Sequence, residues 1–258
     1  MRPKVPDTTR ILLEEKARLY NAPSFIQNDP VQIPHLFSEK ENIEISGFLA
    51  AMLAWGRRDI IIRNAEDLVR RMDNRPIDFL MNAQPGDLEV FRDFRHRTFS
   101  GEDCMYFMQS LQNIYMFRKG LYHVFLEGYT KRNRILDAIS GFHRVFFELQ
   151  GPRRTRKHIA DPSRGSAAKR INLFLRWMVR KDQGGVDFGI WDRINPADLY
   201  IPLDVHTGKV ARELGLLQRK QNDWKAVEEL TGVLRQLDPG DPVRYDYALF
   251  GLGISKDL

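Results

Sequence analysis

The chain has 258 residues, enough to bury a hydrophobic core without covalent staples, and its one cysteine, Cys104, excludes an intrachain disulfide framework and a thiolate cluster for zinc or an iron–sulfur centre. Lysine and arginine outnumber aspartate and glutamate by 40 to 34, a formal charge of +6 with an isoelectric point near 9.4; that excess suits either a polyanionic partner or a plain solvated basic surface. Met1, Arg2, Pro3 and Lys4 open no apolar signal run and no later stretch has the roughly 18 apolar residues of a membrane span, so the expected location is the cytoplasm, on the nucleoid if the source is bacterial, with no membrane partner.

Residues 44–56 place Ile45, Phe48, Leu49, Met52 and Leu53 at the spacing of an amphipathic helix that Gly56 ends. Asp59 is positioned to cap a second helix, whose stripe is Ile61, Ala65, Leu68, Val69 and Met72 and which stops before the Asn74-Arg75-Pro76 turn. Helical periods recur at Met108, Leu111 and Tyr115, and at Ile135, Ile139, Phe142 and Phe146. Strand-like alternation is nearly absent.

Residues 151–164 combine Pro152 and Pro162 with Arg153, Arg154, Arg156 and Lys157, and read as a basic loop dividing the chain. A largely buried helix over 166–180 carries Ile171, Leu175, Met178 and Val179, with Leu173, Phe174 and Trp177 widening its face. Gly184 and Gly185 open an irregular segment through Pro196 and Pro202. Asp204 then precedes a short helix ended by Gly215, Asp223 caps a helix through Leu237, and Asp241-Pro242 has the form of an N-cap and first turn for a last helix with Val243, Leu249 and Phe250. The expected fold is all-α with nine or ten helices, an N-terminal helical subdomain over 1–150 and a C-terminal one over 151–258, forming one structural unit with the site at the junction.

Two residues carry chemistry. Lys169 falls in the first turn of its helix, where the macrodipole disfavours a cation by about 0.3–1 kcal/mol; together with Arg164 and Arg170, that dipole would lower the lysine pKa and favour the nucleophilic free amine. Asp204, in its capping position, would expose one carboxylate oxygen to a bound substrate. Each has a bland alternative, a surface cation and a structural cap, and the two could form a structural ion pair. The six histidines never fall at metal-ligand spacing, and no phosphate-binding glycine loop or nucleophile elbow is present.

At these residues the chain resembles the helix-hairpin-helix DNA glycosylases of base excision repair. Arg164-Gly165-Ser166-Ala167-Ala168-Lys169 is similar to that family's hairpin ending in the catalytic lysine, and the helix through Phe174-Leu175-Arg176 is most similar to the archaeal 8-oxoguanine branch. Pro202-Leu203-Asp204-Val205-His206-Thr207, followed by Val210, Ala211, Arg212 and Leu214-Gly215-Leu216, resembles the family's signature around its catalytic aspartate. Residues 48–68 and 246–253 are similar, more loosely, to its first helical pair and the archaeal branch's last helix. The whole chain is also similar to a bacterial family of unknown function.

The resemblance implies a helix-hairpin-helix motif and a DNA glycosylase with AP lyase activity, which excises a damaged base, an oxidised purine being one candidate, through a Schiff base on Lys169, with Asp204 as the catalytic acid. Its partner is double-stranded DNA carrying a damaged base or abasic site, and it needs no metal or organic cofactor. Arg164, Gly165, Ser166, Ala167, Arg170 and His206 are the expected DNA contacts, and Trp55, Phe250 and Asp246 the candidates for the base pocket. Three departures stand out: Ala167 replaces the hairpin's second glycine, the interval from Lys169 to Asp204 is long enough that 184–201 must loop out, and the single cysteine excludes the iron–sulfur cluster of the endonuclease III branch. The competing readings are a helix-hairpin-helix protein that binds DNA without cutting it, and a helical module for protein or RNA partners.

Overall fold

A computed structural model describes residues 5–255, with no account of the side chains of Ile254 and Ser255. In chain order the α-helices are α1 (Asp7–Tyr20), α2 (Pro23–Ile26), α3 (Lys40–Met52), α4 (Arg58–Arg71) and α5 (Pro76–Asn82). After a two-stranded antiparallel hairpin, β1 (Arg95–His96) and β2 (Phe99–Ser100), come α6 (Gly101–Phe117), α7 (Leu121–Thr130) and α8 (Ile135–Phe146). The remainder are α9 (Lys169–Val179), α10 (Val205–Glu213), α11 (Trp224–Leu237) and α12 (Tyr245–Ser255). The fold is all-α, the hairpin being the one paired sheet among the described residues. None of the described helices is long and apolar enough to cross a membrane.

The chain forms two compact units, a central one from residues 28–160 and a terminal one in which the first 27 residues join residues 161–258. The central unit is built on aromatic packing. Phe142 of α8 stacks on Phe125 of α7 at 4.4 Å between ring centroids and meets Phe48 of α3 edge-on at 5.5 Å, while Phe107 of α6 meets Phe146 at 4.8 Å. Such pairs add about 0.5–1.5 kcal/mol each beyond the area they bury. α7 and α8 touch backbone to backbone at Gly128, where a Cβ would lie 2.8 Å from the Cα of Ala138. α3 is not amphipathic as its apolar spacing suggests. It is buried on all sides from Asn42 to Met52, and its acid Glu44 is satisfied by the Tyr115 hydroxyl at 2.8 Å.

In the terminal unit α1 packs along α12, with Glu14 accepting hydrogen bonds from Arg244 at 2.9 Å and from the Tyr245 hydroxyl. Gly251 permits the approach, since a Cβ there would fall 2.0 Å from the Tyr20 ring. The segment after α9 is not a loose loop: Phe188 and Trp191 donate backbone N–H bonds to the carbonyls of Trp177 and Met178 at 2.8 and 2.9 Å, and the Trp191 ring stands perpendicular to that of Phe174 at 5.3 Å between centroids. Farther on, Arg235 of α11 donates to the carbonyls of Ala197 and Leu199, and Ile201 donates to the Thr231 hydroxyl. The unpaired backbone of an irregular stretch is thereby satisfied on both flanks.

Helix starts separate the caps that form from those that do not. Asp204 and Asp223 accept the N–H groups of Thr207 and Ala226 at 2.9 and 3.1 Å, as expected of N-caps. Asp59 does not cap α4. It lies inside the first turn, where its charge suits the dipole, and pairs with Arg57 at 2.7 Å. Asp241 does not cap either, because its carboxylate is drawn to Arg180 at 2.7 Å; Pro242–Arg244, including Val243, form a 3-10 turn ahead of α12. α9 begins at Lys169 rather than Ser166, because Ala168 adopts a left-handed conformation (φ 48°) that no α-helix continues through.

Candidate functional site

The approach to α9 is a turn rather than a second long helix. Pro162–Arg164 make one 3-10 turn capped by Asp161, Gly165 follows at φ 88°, and Ser166 pairs with Asp223 in an isolated bridge. The Gly165 carbonyl accepts the N–H of Trp224 at 3.0 Å, which docks the turn on the start of α11. The Ser166 hydroxyl accepts the Ala168 N–H at 3.2 Å, and Asn172 donates to the Ala167 carbonyl at 3.2 Å, so the left-handed Ala168 is held from both sides. Arg164, Gly165 and Ser166 are exposed and Ala167 is half-buried. Arg170 is half-buried, and burial pushes its guanidinium down to about 10.

At the end of this turn, Lys169 Nζ stands 3.3 Å from Asp204 Oδ2, across a gap of 34 intervening residues. The two side chains keep 30% and 22% of their surface exposed, so a substrate can reach both. Asp204 divides its oxygens, one capping α10 through Thr207 and the other facing the amine. Burial alone would raise its pKa, but the Lys169 ammonium and the Thr207 N–H outweigh it and hold the carboxyl below the usual range. His206 is exposed on the first turn of α10. Beside it Val205 is 73% exposed, an apolar side chain in solvent next to the aspartate.

Asp246 of α12 feels the charge of this pair. It is buried, and its pKa is pushed up to about 6 by burial, with Asp204 and Asp187 adding to the push and Arg176 and Lys169 opposing it. Arg176 of α9 donates to both Asp246 and Asp187, while Arg180, one turn on, donates to Asp187 and Asp182 at 2.9 Å and to Asp241. Two guanidinium groups therefore serve four carboxylates; burial, with neighbouring carboxylates adding to it and the arginines opposing it, holds Asp246 and Asp241 above the usual carboxylate range. The Tyr247 ring covers the Arg176 guanidinium at 4.2 Å and lies 5.6 Å from that of Arg180.

Phe250, one turn from Asp246, is half-buried with its ring 5.8 Å from Phe25. Trp55 belongs to the central unit, where it is half-buried, edge-on to His96 at 4.6 Å. The structure thus brings Lys169 and Asp204 together, with Asp246 within electrostatic reach of both and the exposed residues 164–166 shortly before Lys169. The buried arginine–aspartate network behind them is absent from the sequence reading. Its signal was available in Arg176 and Arg180, two cations four residues apart on an otherwise buried helix. Among the described residues no group of three or more histidines, cysteines or acids is arranged to hold a metal ion, and Cys104 is buried with its thiol pKa pushed up.

A family model described as "Protein of unknown function (DUF2400)" matches residues 29–255. No curated protein and no solved structure matches the chain.

Proposed function

The chain belongs to this family of unknown function, and we propose that it acts on DNA as a glycosylase with AP lyase activity, using Lys169 as nucleophile and Asp204 as the carboxylate that faces the sugar. The observation that carries the reading is the 3.3 Å contact between an accessible lysine and an accessible aspartate, reached over a long irregular segment. The order glycine, small residue, lysine, then aspartate on a helix cap is what the resemblance to the helix-hairpin-helix glycosylases implies. The exposed residues 164–166 offer the Arg164 side chain to a phosphate.

In this mechanism the target nucleotide leaves the duplex stack, at a cost of a few kcal/mol that a lesion lowers. The N-glycosidic bond breaks with its electron pair departing on the base, and Asp204 stabilises the cationic sugar. The paired ammonium has no lone pair, so its proton moves to the departing base as the amine bonds the anomeric carbon. A second proton passes from the nitrogen to the ring oxygen as the C1′–O4′ bond breaks, giving a protonated Schiff base, from which loss of a 2′ hydrogen as a proton expels the 3′ phosphate.

The test is borohydride trapping on duplexes with an abasic site, 8-oxoguanine or uracil. The reading expects a covalent protein–DNA adduct that Lys169→Ala abolishes and Asp204→Asn strongly slows on base-containing duplexes. A second reading, a structural ion pair in a protein that binds without cutting, rests on the same contact. It expects no adduct on any duplex and a loss of stability in both variants.

A further inference from the structure

The central unit carries a separate cleft. After α8 the chain turns back across the start of α6. The Tyr106 hydroxyl donates to the Leu149 carbonyl at 3.0 Å, and Gly151 lies so close that a Cβ would fall 2.1 Å from the Tyr106 ring. Thr155 donates to the fully buried Asp103 at 2.8 Å, and Arg154 reaches the Ser100 hydroxyl at 3.0 Å and the Thr98 carbonyl at 3.2 Å. On the other side Gly101 meets the backbone of Arg92, its Cβ position 2.0 Å from that carbonyl. These close approaches leave a cleft of about 580 Å³, within the range of small-molecule sites.

Its polar wall is made of donors. Arg92, Arg95 and Arg154 line it, with the amides of Gln109 and Gln150. Arg95 has one terminal nitrogen fixed on the carbonyls of Phe94 and Arg92 at 2.7 and 3.2 Å, so its guanidinium is oriented before any ligand arrives. Glu102, the carboxylate on the wall, stands 3.6 Å from Arg154, which also lies 3.2 Å from the buried Asp103, and Arg92 is held by Glu89, so Arg95 is the guanidinium of the wall that makes no ion pair among the described residues. Met105 and Pro152 provide an apolar side.

We propose that this cleft binds a nucleotide unit, with Arg95 on its phosphate, the glutamine amides on the base edge and the apolar side against the base face. A guanidinium fork matches phosphate oxygens, and a primary amide both donates and accepts, as a base edge demands. A bare inorganic anion would leave the amides and the apolar side idle. The unit is supplied either by a nucleic-acid strand or by a free mononucleotide. The site stands independently of the chemistry at Lys169.

The test uses the full-length protein, Arg95→Gln, Gln109→Ala and the control Lys131→Gln, whose lysine is exposed at the α7–α8 turn. The Gln109 side chain is exposed and makes no hydrogen bond among the described residues, so its replacement is expected to leave folding intact; melting temperatures check all three variants. Affinity for a labelled single strand of roughly 15 nucleotides is followed by anisotropy against salt, and for AMP by calorimetry. With a strand as the source, Arg95→Gln weakens strand binding about tenfold and lowers the salt slope by about 0.7, and Gln109→Ala weakens it at unchanged slope. With a free nucleotide as the source, the wild type binds AMP and both variants lose that binding. Variants that match Lys131→Gln for both probes, or a wild type that binds neither, overturn the proposal. Adduct formation at Lys169, read separately, distinguishes this failure from failure of the glycosylase reading.

Discussion

Removing Arg176 from the buried network tests the electrostatics behind the candidate site. Its side chain is 3% exposed, and it donates to Asp187, which is fully buried, and to Asp246, which is 8% exposed. Methionine approximates the apolar stem of arginine, so Arg176→Met removes the guanidinium, with its charge and hydrogen bonds, while keeping most of the packing. Breaking a buried ion pair from one side costs about 3–5 kcal/mol, because the partner's charge is left uncompensated. Here two features lower that cost. Asp187 keeps Arg180 at 2.9 Å, and Asp246, already at about 6, escapes by taking a proton. Without the opposing cation its pKa climbs further, so neutralisation at pH 8 costs about 1.4 kcal/mol for each unit by which that pKa still lies below the solution. The expected loss is therefore about 3 kcal/mol at pH 8, shrinking by about 1 kcal/mol or more at pH 5.5, where Asp246 is protonated without penalty. Urea unfolding followed by tryptophan fluorescence is the assay, since Trp177, Trp191 and Trp224 lie in the terminal unit and only Trp55 lies outside it. With an m-value of about 2–3 kcal/mol/M, the midpoint should fall by about 1 M or more. The Arg176→Met/Asp246→Asn double variant should recover at least about 1 kcal/mol. A loss below about 1 kcal/mol at pH 8, or a loss that does not change on acidification, would refute the picture of surplus carboxylates held by two arginines.

Asp246 also predicts a pH dependence. Its folded pKa, about 6, lies above the ordinary 3.8, so its contribution to stability is fully present below the ordinary value and is lost as pH rises through 6. Relative to Asp246→Asn, the wild type should gain about 2–3 kcal/mol between pH 7.5 and 4; parallel pH–stability curves for the two proteins would contradict this. Asp204→Ala removes the cap of α10 as well as the partner of Lys169, and should lower stability by about 1 kcal/mol, whereas Asp204→Asn, which can still accept the Thr207 N–H, should lower it less in the same urea titration. Because Asp204 stays ionised below the usual range, trapping should not lose rate between pH 7 and 5 through its protonation. Gly184→Ala puts a Cβ 2.3 Å from the Asn21 carbonyl oxygen and should lower the melting temperature of the terminal unit by several degrees, while Gly185→Ala, where the Cβ meets nothing within 4 Å but φ is 67°, should cost only the backbone strain of about 1–2 kcal/mol.

What the amino-acid order determines on its own is local. The 3.6-residue recurrence of Ile135, Ile139, Phe142 and Phe146 yields α8 with those four side chains fully or almost fully buried, and the Asp204 and Asp223 caps form because a carboxylate three residues before a free N–H needs no distant partner. Local signals failed where a distant charge competed: Asp241 left its helix start for Arg180, and Glu44 sits in an all-round buried helix because Tyr115 reaches it from α6. The meeting of Lys169 with Asp204 had no local signature, since spacing along the chain cannot say where an irregular segment returns. Tertiary structure decided it, through the backbone bonds that fold 188–191 onto the end of α9 and the Arg235 and Thr231 contacts that hold 197–201 against α11. The same is true of α1 lying along α12 and of Asp246 within electrostatic reach of the pair, because burial and the sum of neighbouring charges exist only once the chain has packed.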